Sequence, residues 1–261
     1  MNNLLSAEWY KLRKNGAYSL ICSCIAVMSV LFLTVSYLST PKIEGYRIGH
    51  TAVELYVNSL TLNSFLMKLY LGILAGFFIS AEYAAGVLKR TVSVGQGRRQ
   101  IYLSKLGMFS FGIVLASLIA PLITAAAGGV MSASGLLTGL GHPGNVPAAA
   151  YLLRTLGFTV LFAAALASVA AFIAVALADS GKTIGVALLF FLFIDQVLMA
   201  LAQRYAIFEK VYDLSPFKLL AQTAEFHLNG GDWLTCLFAP MAAIVVFTLL
   251  GISVFQAKEI Q

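Results

Sequence analysis

The sequence predicts an all-α integral membrane protein, with six transmembrane helices preceded by an N-terminal interfacial amphipathic helix and both termini in the cytoplasm. Three observations lead there. The composition is 60% hydrophobic and 11% charged, with mean hydropathy +0.88, whereas a soluble domain is about half apolar and about a quarter charged. The apolar residues come in stretches of roughly 20 or more, the length a helix needs to cross ~30 Å of hydrocarbon, whereas a barrel would show ~10-residue alternating strands. The basic residues are also unevenly divided between the two sides of these stretches.

Residues 2–15 come first. Leu5, Trp9, Leu12 and Gly16 share one helical face while Tyr10, Lys11 and Lys14 lie elsewhere, which suits a helix lying in the membrane interface. The spans follow at about 17–38, 60–80, 105–131, 150–178, 183–203 and 233–255. The first is too long for the apolar region of a signal peptide, and no small-residue cleavage site follows Tyr37-Leu38-Ser39-Thr40, so it is read as an uncleaved span. Cys22 and Cys24 fall in the first span and Cys236 in the last. They form no disulfide framework and no CxxC metal site.

Orientation follows from the basic flanks. With the N-terminus inside, ten basic residues are cytoplasmic: Lys11, Arg13, Lys14, Lys89, Arg90, Arg98, Arg99, Lys105, Lys182 and Lys258. Five are outside, namely Lys42, Arg47, Arg204, Lys210 and Lys218. The net charge of +6 would point a soluble protein toward nucleic acid. Here the excess sits at membrane flanks, and lipid is the expected partner.

Among the inner connections, only 81–104 is long enough to be an organised element, because Asp179-Ser180-Gly181-Lys182 reads as a tight turn. On the outer side, 204–232 contains Ser215-Pro216-Phe217, a proline break with an apolar continuation, which fits a re-entrant or interfacial helix pair or an amphipathic surface loop.

Ionisable residues inside spans are expensive and need a partner or water. Lys68 and Asp195 each lie 12–13 residues above the inner end of their spans, roughly 18–20 Å up at ~1.5 Å per residue. They can therefore pair across the bundle, with Arg154 a third member, and the set is a candidate for a translocation path or a structural ion pair. Gly72-x-x-x-Gly76 marks a close helix contact, within the subunit or between two copies. Gly181-Lys182-Thr183 resembles the end of a phosphate-binding loop, but Ala176 occupies the position of the leading glycine and no strand precedes it. Ser134 has no intramembrane histidine to activate it, and His50, His142 and His227 lack metal-ligand spacing. No catalytic residue and no metal are assigned.

Read in order, these features resemble the permease subunits of type-2 ATP-binding-cassette exporters. Glu8, Lys11 and Lys14, with Trp9 beside them, match that family's Glu-x-x-Lys-x-x-Lys/Arg interfacial helix. Glu82, Gly86, Lys89, Gly95 and Arg98 match the stretch after its second span, with Gly97 in place of the usual hydroxyl residue. The resemblance implies that 81–104 is a coupling segment on the ATPase, with Glu82, Tyr83, Gly86, Lys89, Arg90, Arg98 and Arg99 as its residues. A plain basic membrane anchor is the competing reading.

The resemblance also implies a separate cytoplasmic ABC ATPase that holds ATP and Mg. A second copy of this chain or a similar permease is implied as well, with multidrug or peptide efflux from a bacterial cytoplasmic membrane. The near absence of intramembrane charge favours a hydrophobic or amphipathic cargo, with a lean toward a peptide or toxin. The alternatives are an ATP-independent carrier, which would show inverted repeats, and an intramembrane enzyme, which would need converging catalytic groups.

Overall fold

The computed structural model describes the chain apart from residues 1, 40–41, 44–45, 48–50, 88–90, 92–94, 142–145 and 259–261. Helix α1 is Asn2–Lys14, and α2 is Gly16–Ser39. Helix α3, Ala52–Leu74, runs on through a π-helical stretch, Ala75–Ser80, into the short α4, Ala81–Ala84. Then come α5 (Arg98–Ala133), α6 (Ala148–Leu177) and α7 (Ser180–Ala202). The connection after α7 carries α8 (Ala206–Asp213) and α9 (Pro216–Gln222), and α10 is Gly230–Ala257. Six of these helical runs are long and apolar enough to cross a membrane. The described extended structure is one antiparallel pairing of Lys42–Ile43 with Tyr46–Arg47.

Local chemistry fixes several ends. Thr51 accepts from Glu54 N while the Glu54 carboxylate accepts from Thr51 N, a capping box that starts the second span at Ala52. The same device, Asn229 with Asp232, starts α10. Ala178 adopts a left-handed φ of 52° to close α6, and the Asp179 carboxylate accepts from Lys182 N to open α7. Two residues thus turn the chain back. Arg98 and Arg99 stand in the first turn of α5, which at 36 residues is about 54 Å long and overshoots the hydrocarbon.

Helix α6 is the centre of the bundle and packs against α3, α5, α7 and α10. Its Ala163, Ala167, Ala170, Ala171 and Ala174 are fully buried. Lipid gives apolar helices little reason to associate, so close approach of small residues supplies the packing. The glycines of α3 do the same toward α7. A Cβ at Gly72 would sit 3.0 Å from Ala187 Cβ, and one at Gly76 would overlap the Ile184 side chain and stand 3.0 Å from Ser180 O. The Gly72 and Gly76 face is therefore spent inside the subunit.

Hydroxyls finish this packing. Ser80 Oγ lies 2.8 Å from Thr183 Oγ1 and donates to Ala174 O at 3.1 Å, joining the π stretch to α6 and α7. Gly76→Ala should cost about 1–3 kcal/mol through overpacking. Adding Ile184→Ala should recover most of it, read as the thermal unfolding midpoint in detergent. Equal midpoints for Gly76→Ala and the original chain would show that the contact is not tight.

Candidate functional site

Among the described residues two charged clusters sit in the bundle, one at the end where α1, α4 and the C-terminal end of α10 meet and one near mid-depth. At that end α1 lies against α5, with Leu12 in the space left by Gly112 and Trp9 edge-on to Phe111. This brings Glu8 and Lys11 over the second turn of α5, where Lys105 is 2% exposed. Lys105 Nζ lies 2.7 Å from Glu82 Oε2 and 3.2 Å from Glu8 Oε2. Lys11 Nζ lies 2.7 Å from Glu8 Oε1 and 3.0 Å from Glu82 Oε1. Two acids and two bases alternate in a closed ring with no net charge.

The Phe78 ring closes the ring of charges from within, 5.4 Å from Lys105 Nζ. Burial pulls the Lys11 ammonium down, and the Glu8 and Glu82 carboxylates more than offset this, leaving its pKa above the ordinary lysine value. An ion withdrawn from water costs several kcal/mol unless its partner and hydrogen bonds come with it. Here each ion has two partners.

The rest of this end is held by carbonyl capping. Arg98 Nη1 donates to Gln256 O and Lys258 O, both at 2.9 Å, and Lys258 Nζ donates to Val175 O and Ala176 O at 3.0 and 2.9 Å. These bonds satisfy the orphan carbonyls that close α10 and α6. Tyr83 packs edge-on to Phe255 and under Lys258. Gly86 turns the chain out of α4 with φ 65°. Lys14 and Arg99 are exposed, and Trp9 is 40% exposed. Lys89 and Arg90 lie outside the described residues.

Of the residues expected at the coupling segment, the structure joins Glu82 to Lys11 and Lys105 and, through them, to Glu8. It gives Arg98 to the end of α10 and leaves Arg99 facing outward. In the sequence Lys105 is a basic flank of the third span. Its signal was its place among Ile101, Tyr102, Leu106 and Phe109, all buried on one face of α5.

In the second cluster Lys68 Nζ lies 3.3 Å from Asp195 Oδ2, and the Phe217 ring of α9 is 5.9 Å from the same nitrogen. The glycine-mediated approach of α3 to α7 sets this distance. Asp195 Oδ1 has no hydrogen-bond partner among the described residues. Arg154 is not a third member. It stands near the start of α6, stacks 5.0 Å from the Tyr151 ring and donates to the carbonyls of Glu225 and Phe226. Its reach matches the chain leaving α9 and not the mid-depth pair.

Helix α9 dips into the bundle. Its Ser215 cap, Pro216 and buried Phe217 and Leu219 bring it beside Lys68. Between α3, α6 and α9 lies a cavity of about 230 Å³ lined by Thr61, Ser64, Lys68, Thr159 and Thr223 among others. Among the described residues, no cluster of His, Cys, Asp or Glu is placed to hold a metal.

Lys105→Met should lower stability by about 3–5 kcal/mol because it leaves two facing carboxylates. Adding Glu82→Gln should return part of the loss in the same thermal unfolding measurement. For the mid-depth pair, Lys68→Ala should destabilise the chain and Asp195→Asn in that background should relieve it. Identical single and double variants would mean the two charges are not coupled.

No curated protein matches the chain. The model of the family described as ABC-2 family transporter protein matches residues 4–196, from within α1 to within α7, and so takes in both charged clusters. With six membrane-crossing helices and this match over most of its length, the chain belongs to the ABC-2 family of transporter proteins, as the membrane permease of an ABC transporter.

Proposed function

We propose that this permease is half of an ATP-driven exporter that moves a hydrophobic or amphipathic molecule, peptides among them, out of a bacterial cell across its cytoplasmic membrane. The observation that carries the reading is the ring of Glu8, Lys11, Glu82 and Lys105. It ties the interfacial helix, the end of the second span and the start of the third into one body at the end of the bundle that also bears exposed Lys14 and Arg99. A push delivered there by a partner reaches three elements at once. The excess of basic flanks on that side supports placing it in the cytoplasm, with both termini inside.

In this reading the stretch 81–104 rests on a separate ATPase, which binds ATP and Mg, and two permeases complete the assembly as a homodimer or a pair of similar chains. Closure of the ATPases on ATP moves the charged ring and, through Gly72 and Gly76, the seventh helix. Cargo leaves toward the outer side between permeases. This chain contributes no hydrolytic step.

Purification of the tagged full chain from its native membrane in mild detergent should bring down a stoichiometric ABC ATPase, identified by mass spectrometry. A chain that repeatedly comes out alone would contradict the exporter reading. Arg99→Glu should weaken that association and lower transport about tenfold, a loss of roughly 1.4 kcal/mol of coupling. Arg99 is the informative position, because Arg98 is already spent on the end of α10. Unchanged association and transport in Arg99→Glu would place the ATPase contact elsewhere.

A further inference from the structure

We infer that the cavity between α3, α6 and α9 is a binding site for a neutral amide group, one peptide unit of a longer amphipathic ligand. Three features of its walls select that chemistry: hydrogen-bonding polarity, net charge and size.

One wall is a stripe on α3, with Thr61, Ser64 and Lys68 at i, i+3 and i+7. Lys68 brings three N–H donors, of which Asp195 Oδ2 takes one. The opposite wall accepts. Thr159 Oγ1 already donates to Thr155 O at 2.8 Å, and Thr223 Oγ1 to Leu220 O at 2.7 Å. Each of those hydroxyls therefore has only lone pairs to offer a ligand. Asn63, on α3 beside the stripe, is 3% exposed at the same cavity, and its Oδ1 is a further acceptor with no hydrogen-bond partner among the described residues. A ligand that fits must accept on the Lys68 side and donate on the Thr159 and Thr223 side, which a single amide does with its C=O and N–H.

Charge narrows the choice. Lys68 and Asp195 neutralise each other, so an anion would have to draw the ammonium off Asp195 and leave that carboxylate unpaired. A cation would face the Lys68 ammonium. A neutral dipole does neither.

Size narrows it again. Pockets for drug-sized ligands run to about 300–1,000 Å³, and this one, at about 230 Å³, holds one residue-sized fragment. Leu60 and Leu220 supply apolar lining for an aliphatic side chain. Across Thr61 and Phe65 the cavity adjoins an open one of about 560 Å³ between α2 and α3, so the remainder of an extended chain has somewhere to lie. Phe65, 53% exposed, forms the wall between the two.

Calling the ligand cargo rests on the exporter reading, whereas occupancy of the cavity needs no ATPase. The test uses the purified full chain with Cys22, Cys24 and Cys236 replaced by alanine and Ser64→Cys as reporter. A second reporter, Thr61→Cys, serves if the first is not monodisperse. Alkylation by N-ethylmaleimide is timed with N-acetyl-leucinamide as probe and with hexanoate as an anionic control that carries no amide.

The amide should slow alkylation saturably, about tenfold at ten times its Kd by mass action, while hexanoate does not. Thr223→Val should weaken that protection severalfold, read as the ratio of the rates with and without probe in the same variant. Protection by hexanoate alone would overturn the proposal in favour of an anion site, and protection by neither, or equally by both, would overturn it outright. An ATPase that co-purifies with an unprotected cavity overturns this site and leaves the exporter standing. A protected cavity in a chain that never brings down an ATPase supports the site and removes the exporter.

Discussion

A charge taken out of water must be matched on the spot, and this requirement organises the bundle at two depths. At the charged end, neither Lys105 nor the two glutamates could be buried alone, because the cost of an unpaired ion exceeds what the contacts of one helix return. The three elements that carry them are therefore obliged to meet. Helix α1, which has little apolar area of its own to bury, is held in place by this necessity together with Leu12 and Trp9. At mid-depth the same rule pairs Lys68 with Asp195, and there it fixes the rotation of α3 against α7.

What the sequence disclosed follows the reach of each signal. Six spans and an interfacial helix are written in hydropathy, which depends on composition over twenty residues and survives local irregularity. The pairing of Lys68 with Asp195 could be anticipated because both are rare charges at equal heights, and height along a straight helix is simple arithmetic. Span ends are less legible than spans. The second span begins eight residues before position 60, and the sign of it was the capping pair Thr51 and Glu54, a short motif set among polar neighbours.

Other features had no one-dimensional trace. Arg154 stands at nearly the right place in sequence to join Lys68, yet α9 folds back and offers it carbonyls first. Arg98 sits in a basic pair that resembles a docking signal, and only the return of α10 to the same end shows that one member of the pair is a cap. Lys105 was legible only to an eye that weighed its neighbours at helical spacing above its charge. The companionship of Glu8 and Glu82 depends on a bend in helical register that no residue type announces.

That register lies in the six residues Ala75–Ser80. A π-helical turn takes in about one residue more than an α turn, and one residue turns everything beyond it by about 100° around the axis. Upstream of the stretch the second span is keyed to α7 by Gly72. At the end of the stretch Ser80 joins it to α6 and α7, and downstream Glu82 keys the helix to α1 and α5. Glu82 therefore needs a different angle about the axis from Gly72, and the extra residue supplies it. The length of this span is thus fixed by an angle as well as by the thickness of the bilayer. Removing one residue from within this helix would point Glu82 away from Lys105.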